Sequence, residues 1–325
     1  MSIGIPSWMR PAETAEPVKT ITVEVLARRG VADNVVELTI GGRGRLPEWT
    51  PGSHIDLHLP GGLIRQYSLC GDSHDLDTYR IAVLRESRGR GGSVHLHDTV
   101  SVGSVLAISG PRNHFELESA AKYVFIAGGI GITPLLPMIN AVNDRGGDWT
   151  LDYCGRTRST MAYADRLADD SRVRIASADN GRRLDVRHLL AEPDPGTAVY
   201  CCGPKSLLDA VDKESAAWPE GAIHTERFTP KDVDLPTSSF DVRLARSDLS
   251  LHVPAERALI DVLEDAGVVV PASCREGTCG TCETIVLDGT PQHRDSVLTQ
   301  AEQDAGDSMM VCVSRSCEAP LLLDL

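Results

Sequence analysis

Four of the nine cysteines in this 325-residue chain have the spacing of metal ligands. Three of them lie in one short segment, Cys274-Arg-Glu-Gly-Thr-Cys279-Gly-Thr-Cys282, and Cys312 follows thirty residues after Cys282. Thiolates are strong, soft donors for iron and for zinc. Because cysteines in a chain without secretory features more often bind metals than form disulfides, the pattern predicts a metal centre near the C-terminus.

The spacing C-x4-C-x2-C followed by a distant cysteine is the ligand pattern of plant-type [2Fe–2S] clusters. Zinc is the alternative, but zinc ligands usually come as two close cysteine pairs, and this segment has one. Cys317 competes with Cys312 as the fourth ligand. Gly277 and Gly280 allow the loop to curl so that its amides face the cluster. The predicted ligands are Cys274, Cys279, Cys282 and Cys312.

Two glycine-containing turns follow apolar runs that are typical of buried strands. Gly128-Gly129-Ile130-Gly131-Ile132-Thr133-Pro134 comes after Tyr123–Ala127, and Cys202-Gly203-Pro204 ends the run that begins at Ala198. The first turn is not the G-x-G-x-x-G sequence of dinucleotide-binding folds. Both turns follow strands, however, where open α/β sheets bind nucleotides. Together they favour a nucleotide site.

Two further segments combine cations, glycines and hydroxyl groups. Arg65-Gln66-Tyr67-Ser68-Leu69 is short and extended, so alternation places Arg65 and Tyr67 on one face and Ser68 on the other. Arg88-Gly89-Arg90-Gly91-Gly92-Ser93 follows and has the composition of a phosphate-binding loop. Each segment alone is more often a surface turn, and only their joint occurrence is informative.

The hydrophobic pattern changes twice along the chain. Short alternating runs up to Phe115 predict an antiparallel β-barrel, and alternating strands and helices from Lys122 predict an α/β domain with a parallel sheet. A hairpin and a short helix are predicted after a Pro- and Ser-containing linker. The predicted divisions are a tail (1–17), the barrel (18–118), the α/β domain (119–228), the linker (229–237) and a C-terminal domain (238–325).

The net charge of −14 is concentrated toward the C-terminus, where residues 237–325 hold 6 basic and 15 acidic residues. This charge argues against a nucleic-acid partner and is compatible with a basic protein surface, although solubility alone also explains it. The most apolar stretch is broken by glycines and prolines, so no membrane span is predicted. No secretory signal is visible, and a cytoplasmic location is the default expectation.

In their order and spacing, these motifs resemble the phthalate dioxygenase reductases, a family that includes vanillate demethylase reductases. The resemblance covers nearly all of residues 18–325. The motifs that carry it are Arg65–Leu69, Gly89–Ser93, Gly128–Pro134, Cys202–Pro204, Glu226–Phe228 and the cysteine set with its Met309–Cys312 segment. The resemblance implies an FMN-binding β-barrel, an NAD-binding α/β domain with a parallel sheet and an α+β, β-grasp ferredoxin domain with a [2Fe–2S] cluster.

The resemblance also implies roles for single residues. Arg65 and the backbone from Gly91 to Ser93 would hold the flavin phosphate, Tyr67 would pack on the flavin ring, and Phe228 would cover its other face. Tyr67 as a plain core residue and Phe228 as a simple cap are the alternatives. The implied catalytic residues are Ser68, Thr133 and Phe228. The implied cofactor contacts are Arg65, Gln66, Tyr67, Ser68, Gly91, Gly92, Ser93, Gly129, Thr133, Arg156, Asp179, Cys202, Gly203 and Pro204.

The implied activity is an electron relay from NADH through FMN and the cluster to a terminal oxygenase. A Rieske-type oxygenase or demethylase is the first expectation for the partner, and a cytochrome P450 is the alternative. The acidic C-terminal segment predicts that the partner docks with a basic face. NADH is favoured over NADPH by the resemblance alone. A flavoenzyme with its own terminal activity and a non-enzymatic iron–sulfur sensor are the readings from other classes.

Overall fold

The computed structural model describes residues 19–231 and 234–325. The predicted tail (1–17), as well as Asp232 and Val233 of the predicted linker, lie outside the described residues. The chain divides into one unit of Thr20–Phe228 and a second that contains Thr229–Leu325. Among the described residues, no helix has the length and apolar character that crossing a bilayer requires.

Six antiparallel strands form the first part of the Thr20–Phe228 unit, in the order β4-β3-β6-β1-β2-β5. A bridge between Leu69, directly after β4, and Ile81 on β5 joins the two edges, so the predicted antiparallel barrel is confirmed. Inward-facing side chains such as Leu38 and Leu57 are fully buried. The elements are β1 (Ile21–Ala32), β2 (Val35–Gly41), β3 (His54–Leu59), β4 (Leu63–Ser68), β5 (Thr78–Leu84), α1 (Gly92–Asp98) and β6 (Val105–Arg112).

A five-stranded parallel sheet forms the rest of this unit, in the order β11-β10-β7-β8-β9. Its central strands are apolar and buried, as expected for a parallel sheet covered on both faces. The predicted α/β fold is thereby confirmed. The elements are β7 (Lys122–Gly128), α2 (Ile132–Asp144), β8 (Asp148–Gly155), α3 (Ala164–Leu167), β9 (Val173–Ser177), α4 (Val186–Leu189), β10 (Thr197–Cys202), α5 (Lys205–Glu214) and β11 (Ile223–Glu226).

The barrel and the parallel sheet share one hydrophobic core. Val35, Cys70 and Ala82 of the barrel are buried in the same cluster as Met161 and Tyr163 of the α/β part. Strand β5 also contacts the turn Gly129–Gly131. Because these contacts are buried and apolar, they hold the two sheets in a fixed position relative to one another.

The Thr229–Leu325 unit contains a mixed sheet in the order β13-β12-β16-β14-β15. Strand β12 runs parallel to β16 and antiparallel to β13, and the buried side chains of α6 join the core of this sheet. The predicted β-grasp arrangement is confirmed. The elements are β12 (Phe240–Leu244), β13 (Leu249–Val253), α6 (Leu259–Asp265), β14 (Glu283–Gln292), α7 (Gln300–Ala305), β15 (Ser308–Met310) and β16 (Arg315–Leu323).

Two arginines attach the end of the predicted linker to this unit. Arg315, which is 5% exposed, donates to the carbonyl of Ser238 at 2.9 Å. Arg294 donates to the carbonyl of Pro236 at 2.8 Å. Guanidinium groups bonded to carbonyls restrict the backbone, so residues 236–238 are ordered on the ferredoxin-like sheet.

Candidate functional site

The barrel brings Arg65 and the glycine loop before α1 together. The guanidinium of Arg65 donates to the carbonyl of Arg90 at 3.5 Å. A Cβ added to Gly92 would lie 2.7 Å from the Arg65 Cγ, so only glycine fits there. Gly91, which has a φ of 86°, lies directly before α1 and leads into the backbone amides of the first turn of that helix. The hydroxyl of Ser93 accepts from the amide of Glu86 at 3.0 Å. A cation beside free helix-terminal amides is suited to hold a phosphate group.

The remaining residues of β4 divide between the two faces of the strand. Tyr67 packs against the barrel core, and burial raises its pKa to about 12 while Arg65 opposes the shift. Ser68 is buried and lies opposite His54 of the neighbouring strand β3. Gln66 donates its side-chain amide to Asp56 at 2.6 Å. The structure thus places Tyr67 near Arg65, whereas the side-chain amide of Gln66 is bonded to Asp56 on the neighbouring strand β3.

A buried polar network behind Gln66 was missed at the sequence level. Asp56 is fully buried and pairs with Arg112 at 2.7 Å. Its other oxygen accepts from Ser109, which contacts His58 at 2.8 Å. The alternation of β3 predicts Asp56 as a solvent-facing position, and only tertiary packing covers it. Buried charges need such partners, so this network fixes β3 and β6 against the candidate flavin strand.

The two glycine turns at the carboxyl ends of β7 and β10 contact one another. A Cβ on Gly131 would lie 2.2 Å from the carbonyl oxygen of Cys202, and a Cβ on Gly128 would lie 2.5 Å from Pro204. A Cβ on Gly203 would lie 2.9 Å from the Cα of Gly128. Three of the glycines therefore permit the turns to pack together.

Gly129 is the glycine of this turn that faces open space. It has a φ of 55° and nothing within 4 Å of an added Cβ. Its carbonyl accepts from the hydroxyl of Tyr153 at 2.9 Å. Thr133, buried at the start of α2, donates its hydroxyl to the carbonyl of Ile130 at 2.9 Å. The open side of Gly129 allows a nucleotide to approach the backbone.

Glu226 is a candidate site residue to which the sequence analysis gave no role, although it belongs to the motif Glu226–Phe228. It lies opposite Cys202 on adjacent parallel strands, and the Cys202 thiol donates to its carboxylate at 3.8 Å. Burial raises the pKa of Glu226 to about 8, and burial raises the pKa of Cys202 well above its ordinary value. Both groups are predominantly uncharged near neutral pH.

The other α/β residues lie on the rim of the parallel sheet. Arg156 follows β8 and Asp179 follows β9, and the amide of Asp179 donates to the carbonyl of Arg156 at 3.1 Å. Asp179 also accepts from the amide of Arg158. Its pKa is lowered chiefly by a hydrogen bond from Ser177. Phe228, the last residue of this unit, is 43% exposed. The two predicted dinucleotide contacts are thus brought together.

In the Thr229–Leu325 unit, one loop and one strand end collect four buried thiols. Cys274, Cys279, Cys282 and Cys312 are each at most 5% exposed. Gly277 and Gly280 have φ values of 69° and 72°, which confirms the predicted curl of the loop. A Cβ on Gly277 would lie 2.6 Å from the side chain of Val313. The loop is packed too tightly there for any other residue.

The surroundings of Cys274 favour its thiolate form. Its sulfur accepts from the amides of Glu276 and Thr278 at 3.3 and 3.4 Å. Hydrogen bonds from the neighbouring thiols of Cys279 and Cys312, followed by these amides, lower the pKa of Cys274. Backbone amides that point at sulfur are the donors that stabilise an anionic iron–sulfur cluster.

Two further observations concern the type of metal centre. In residues 19–231 and 234–325, no three His, Cys, Asp or Glu side chains are arranged to hold a single metal ion. A binuclear cluster shares its four thiolates between two irons and does not require one point of convergence. Cys317, the competing ligand, is exposed and contacts the carbonyl of Pro291 at 3.7 Å.

A family model described as a 2Fe-2S iron-sulfur cluster binding domain matches residues 242–318. Over 322 residues the chain is 41% identical to the phenoxybenzoate dioxygenase subunit beta of Ectopseudomonas oleovorans, covering 98% of this chain and 100% of that protein.

Two solved structures are similar to nearly the whole chain. One is phthalate dioxygenase reductase, described as a modular structure for electron transfer from pyridine nucleotides to [2Fe-2S]. It has a TM-score of 0.69 and 37% identity, over 94% of this chain and 98% of that one. The other is an intact type IV self-sufficient cytochrome P450 monooxygenase, with a TM-score of 0.89 and 42% identity. The match covers 97% of this chain but only 43% of that protein's length.

Proposed function

The chain belongs to the phthalate dioxygenase reductase family, and from that membership we propose that it is the reductase component of a multicomponent oxygenase. It takes hydride from NADH and delivers single electrons to a terminal oxygenase. The observation that carries the proposal is the presence, on one chain, of an arginine beside a glycine loop, of two packed glycine turns at the carboxyl ends of parallel strands, and of a loop with four buried thiols. The proposed domains are residues 18–118 for FMN, 119–228 for NADH and 238–325 for the cluster, joined by a linker at 229–237.

The barrel residues fit FMN. When bound, FMN accepts a hydride from a nicotinamide and releases the two electrons one at a time. Arg65 and the backbone of Gly91, Gly92 and Ser93 would hold its phosphate, in the cradle that a Cβ on Gly92 would fill. Tyr67 would pack on the ring, and Ser68 would lie near its reactive edge. Gln66 would contribute through its backbone, since its side chain is bonded to Asp56.

The sheet edge fits NADH. Gly129 leaves room for the dinucleotide, while Thr133 and the turn Cys202-Gly203-Pro204 would border the nicotinamide. Arg156 and Asp179 would contact the remainder of the dinucleotide. Phe228 would cover the flavin ring until the nicotinamide replaces it. We propose NADH over NADPH, which comparison of the two steady-state specificity constants tests directly.

Glu226 and Cys202 would set the electrostatics beside the nicotinamide. With a pKa of about 8, Glu226 carries a proton near pH 7, so no fixed negative charge stands there.

The thiol loop fits a [2Fe–2S] cluster. Cys274, Cys279, Cys282 and Cys312 would ligate it, and the amides of the loop would donate to the ligand sulfurs, as they do to Cys274. The matched family model supports this assignment.

A titration with NADH under argon tests the relay. We expect complete reduction to require about 1.5 equivalents of NADH per chain, because FMN stores two electrons and the cluster one. Iron, sulfide and FMN contents measured on the same sample serve as the control. A fully loaded protein that takes up only one equivalent would show that the cluster is not on the path.

The partner is a terminal oxygenase, and we propose a Rieske-type enzyme with a basic docking face. The support is the charge of residues 237–325, in which acidic residues outnumber basic ones by nine. Association through opposite charges weakens with salt. Coupled turnover should therefore fall several-fold between 50 and 500 mM salt, whereas NADH reduction of an artificial acceptor should not. Coupled turnover that is flat with salt would contradict this docking.

A cytochrome P450 is the second candidate partner. The similarity of nearly the whole chain to a self-sufficient P450 monooxygenase favours it. Coupled turnover with purified candidates of both classes decides between them, with NADH consumption in the absence of either partner as the control. Rapid NADH consumption without any partner would instead indicate a flavoenzyme with its own terminal activity.

A further inference from the structure

Three buried polar side chains meet where the barrel packs against the α/β part of the Thr20–Phe228 unit. The hydroxyl of Tyr163 donates to Glu37 Oε2 at 2.8 Å, and its oxygen lies 3.7 Å from the sulfur of Cys70. Each of the three residues is only 7% exposed. We call them the Tyr163 cluster. None of them belongs to the flavin, nicotinamide or metal sites described above.

The cluster has a defined direction of hydrogen bonding. Burial raises the pKa of Cys70 to about 12 and raises the pKa of Tyr163 above its ordinary value. The phenol therefore stays protonated and donates at any working pH. The other oxygen of Glu37 accepts from Arg29 at 3.0 Å. Because the phenol donates to one oxygen of Glu37 while Arg29 holds the other, the bond has one direction and fixes the separation of the two elements that it joins.

The backbone at Tyr163 is held in an unusual conformation. Its φ is 60° and its ψ is 5°, in the left-handed region that side chains other than glycine rarely adopt. The guanidinium of Arg166 lies 5.1 Å from the centre of its ring. A strained residue persists where its surroundings determine the conformation, and such residues cluster at functional sites.

The Tyr163 cluster is connected to both halves of the proposed site. On the barrel side, Cys70 is two residues beyond Ser68, and its amide donates to Arg80 across the barrel closure. On the α/β side, the carbonyl of Ala162 accepts from the hydroxyl of Tyr153 at 3.1 Å. That same hydroxyl donates to Gly129 at 2.9 Å. A displacement of Tyr163 is thus transmitted to the flavin strand and to the nicotinamide turn.

We propose that Tyr163 is a positioning residue whose bond to Glu37 sets the alignment of the strand Arg65–Ser68 with the turn Gly129–Gly131, and thereby of the nicotinamide with the flavin. The inference rests on the proposed function for the identity of the two ligands. The mechanical coupling itself concerns residues of this chain alone. Because hydride transfer is sensitive to displacements of about 1 Å, loss of the bond lowers the transfer rate more than it lowers affinity.

The first experiment uses the Tyr163→Phe variant of the full, cofactor-loaded chain. We expect NADH reduction of the flavin at saturating NADH to slow about tenfold or more, with KM changed much less. The long-wavelength nicotinamide–flavin charge-transfer band should weaken, while FMN and iron contents stay equal to those of the wild type. Amide hydrogen exchange should rise in both segments that the cluster joins, 68–71 and 129–132.

Tyr123→Phe is the matched control. It removes another buried tyrosine hydroxyl, at the amino end of the same parallel sheet. That hydroxyl donates to the carbonyl of Glu118 and accepts from the amide of Ala120 and from Arg145. It should change neither the charge-transfer band nor exchange in the two segments. A wild-type transfer rate and unchanged exchange in Tyr163→Phe would overturn the proposal.

Glu37 gives a second test that does not depend on Tyr163→Phe keeping its flavin. Glu37→Gln retains an oxygen acceptor for the phenol and should stay near the wild type, whereas Glu37→Ala should reproduce the slow transfer. If Gln and Ala behave alike, the proposal is wrong. Should the wild type bind no FMN or ignore NADH, the proposed function fails. The exchange comparison then still decides whether Tyr163 couples the two segments.

Discussion

The two chemical regions of the molecule are built in opposite ways. The thiol loop takes three of its four ligands from nine consecutive residues, and Gly277 of this loop packs against Val313, the neighbour of the fourth ligand Cys312. The proposed flavin–nicotinamide region is assembled from separate segments of the barrel and of the parallel sheet, and the turns after β7 and β10 pack backbone to backbone. A local site depends on its own side chains, whereas a distributed site depends on the fit of distant segments. The two regions should therefore fail differently when mutated.

Loss of a thiol should abolish one region and spare the other. Cys312→Ala leaves three ligands, and we expect the [2Fe–2S] cluster to be absent while FMN content and NADH reduction of the flavin persist. The visible spectrum and iron analysis measure this outcome. Cys317→Ala, which removes the exposed thiol five residues further along the chain, on β16, is the control and should keep full iron. A Cys312→Ala protein with a complete cluster would show that a residue other than Cys312 is the fourth ligand.

Added volume between the two glycine turns should damage the distributed site through its fold. A Cβ on Gly131 would lie 2.2 Å from the carbonyl of Cys202, so the backbone of one turn must move. We expect Gly131→Ala to lower the free energy of unfolding of the Thr20–Phe228 unit by roughly 3 kcal/mol. Denaturation followed by flavin fluorescence measures this change.

Gly129→Ala, in the same turn, is the matched comparison. The added methyl group meets no atom within 4 Å, so only the positive φ opposes it and the loss should be about 1 kcal/mol. Equal destabilisation by the two variants would show that contact between the turns is unimportant.

The smallest expected effect concerns the buried carboxyl beside Cys202. The pKa of Glu226 is raised from 4.5 to about 8, so between these values the folded state binds the extra proton. Stability therefore falls as pH rises through this window, and it levels off above about pH 8. From pH 7 to 9 this group should contribute a loss of about 1 kcal/mol.

Glu226→Gln removes the titration and should flatten that part of the stability profile. Denaturant midpoints at pH 7, 8 and 9 for both proteins provide the measurement, with the slope of the transition as a check on compactness. A variant that shows the same loss as the wild type would assign the pH dependence to another group.

The same contrast explains what the sequence predicts well. Hydrophobic alternation and turn residues predicted the barrel and the α/β domain, because these signals are local, and the structure confirms both with strands such as His54–Leu59 and Val173–Ser177. Spacing likewise predicted Cys274, Cys279 and Cys282 as ligands, whereas the choice of Cys312 over Cys317 depended on the family resemblance. The sequence did not predict that Asp56 is buried, because an alternating pattern does not show which other segment covers the polar face of the strand.

The glycine turns are a second example of contacts that the sequence does not predict. Their residues predicted room for a ligand, yet Gly131 and Gly203 are required by the contact between two turns that lie about seventy residues apart. The link between Tyr163 and Glu37 likewise joins residues that are 126 positions apart. Contacts of this kind depend on how the sheets pack, and no short motif encodes them.

Rapid anaerobic mixing of the full chain with NADH tests the central claim, that electrons enter at the distributed site and leave through the local one. Absorbance in the flavin and cluster bands is followed separately, with Cys312→Ala as the reference. The account predicts that the flavin bleaches first and the cluster bands fade afterwards, and that the variant shows only the first phase. Fading of the cluster before the flavin, or with the flavin still oxidised, would contradict it.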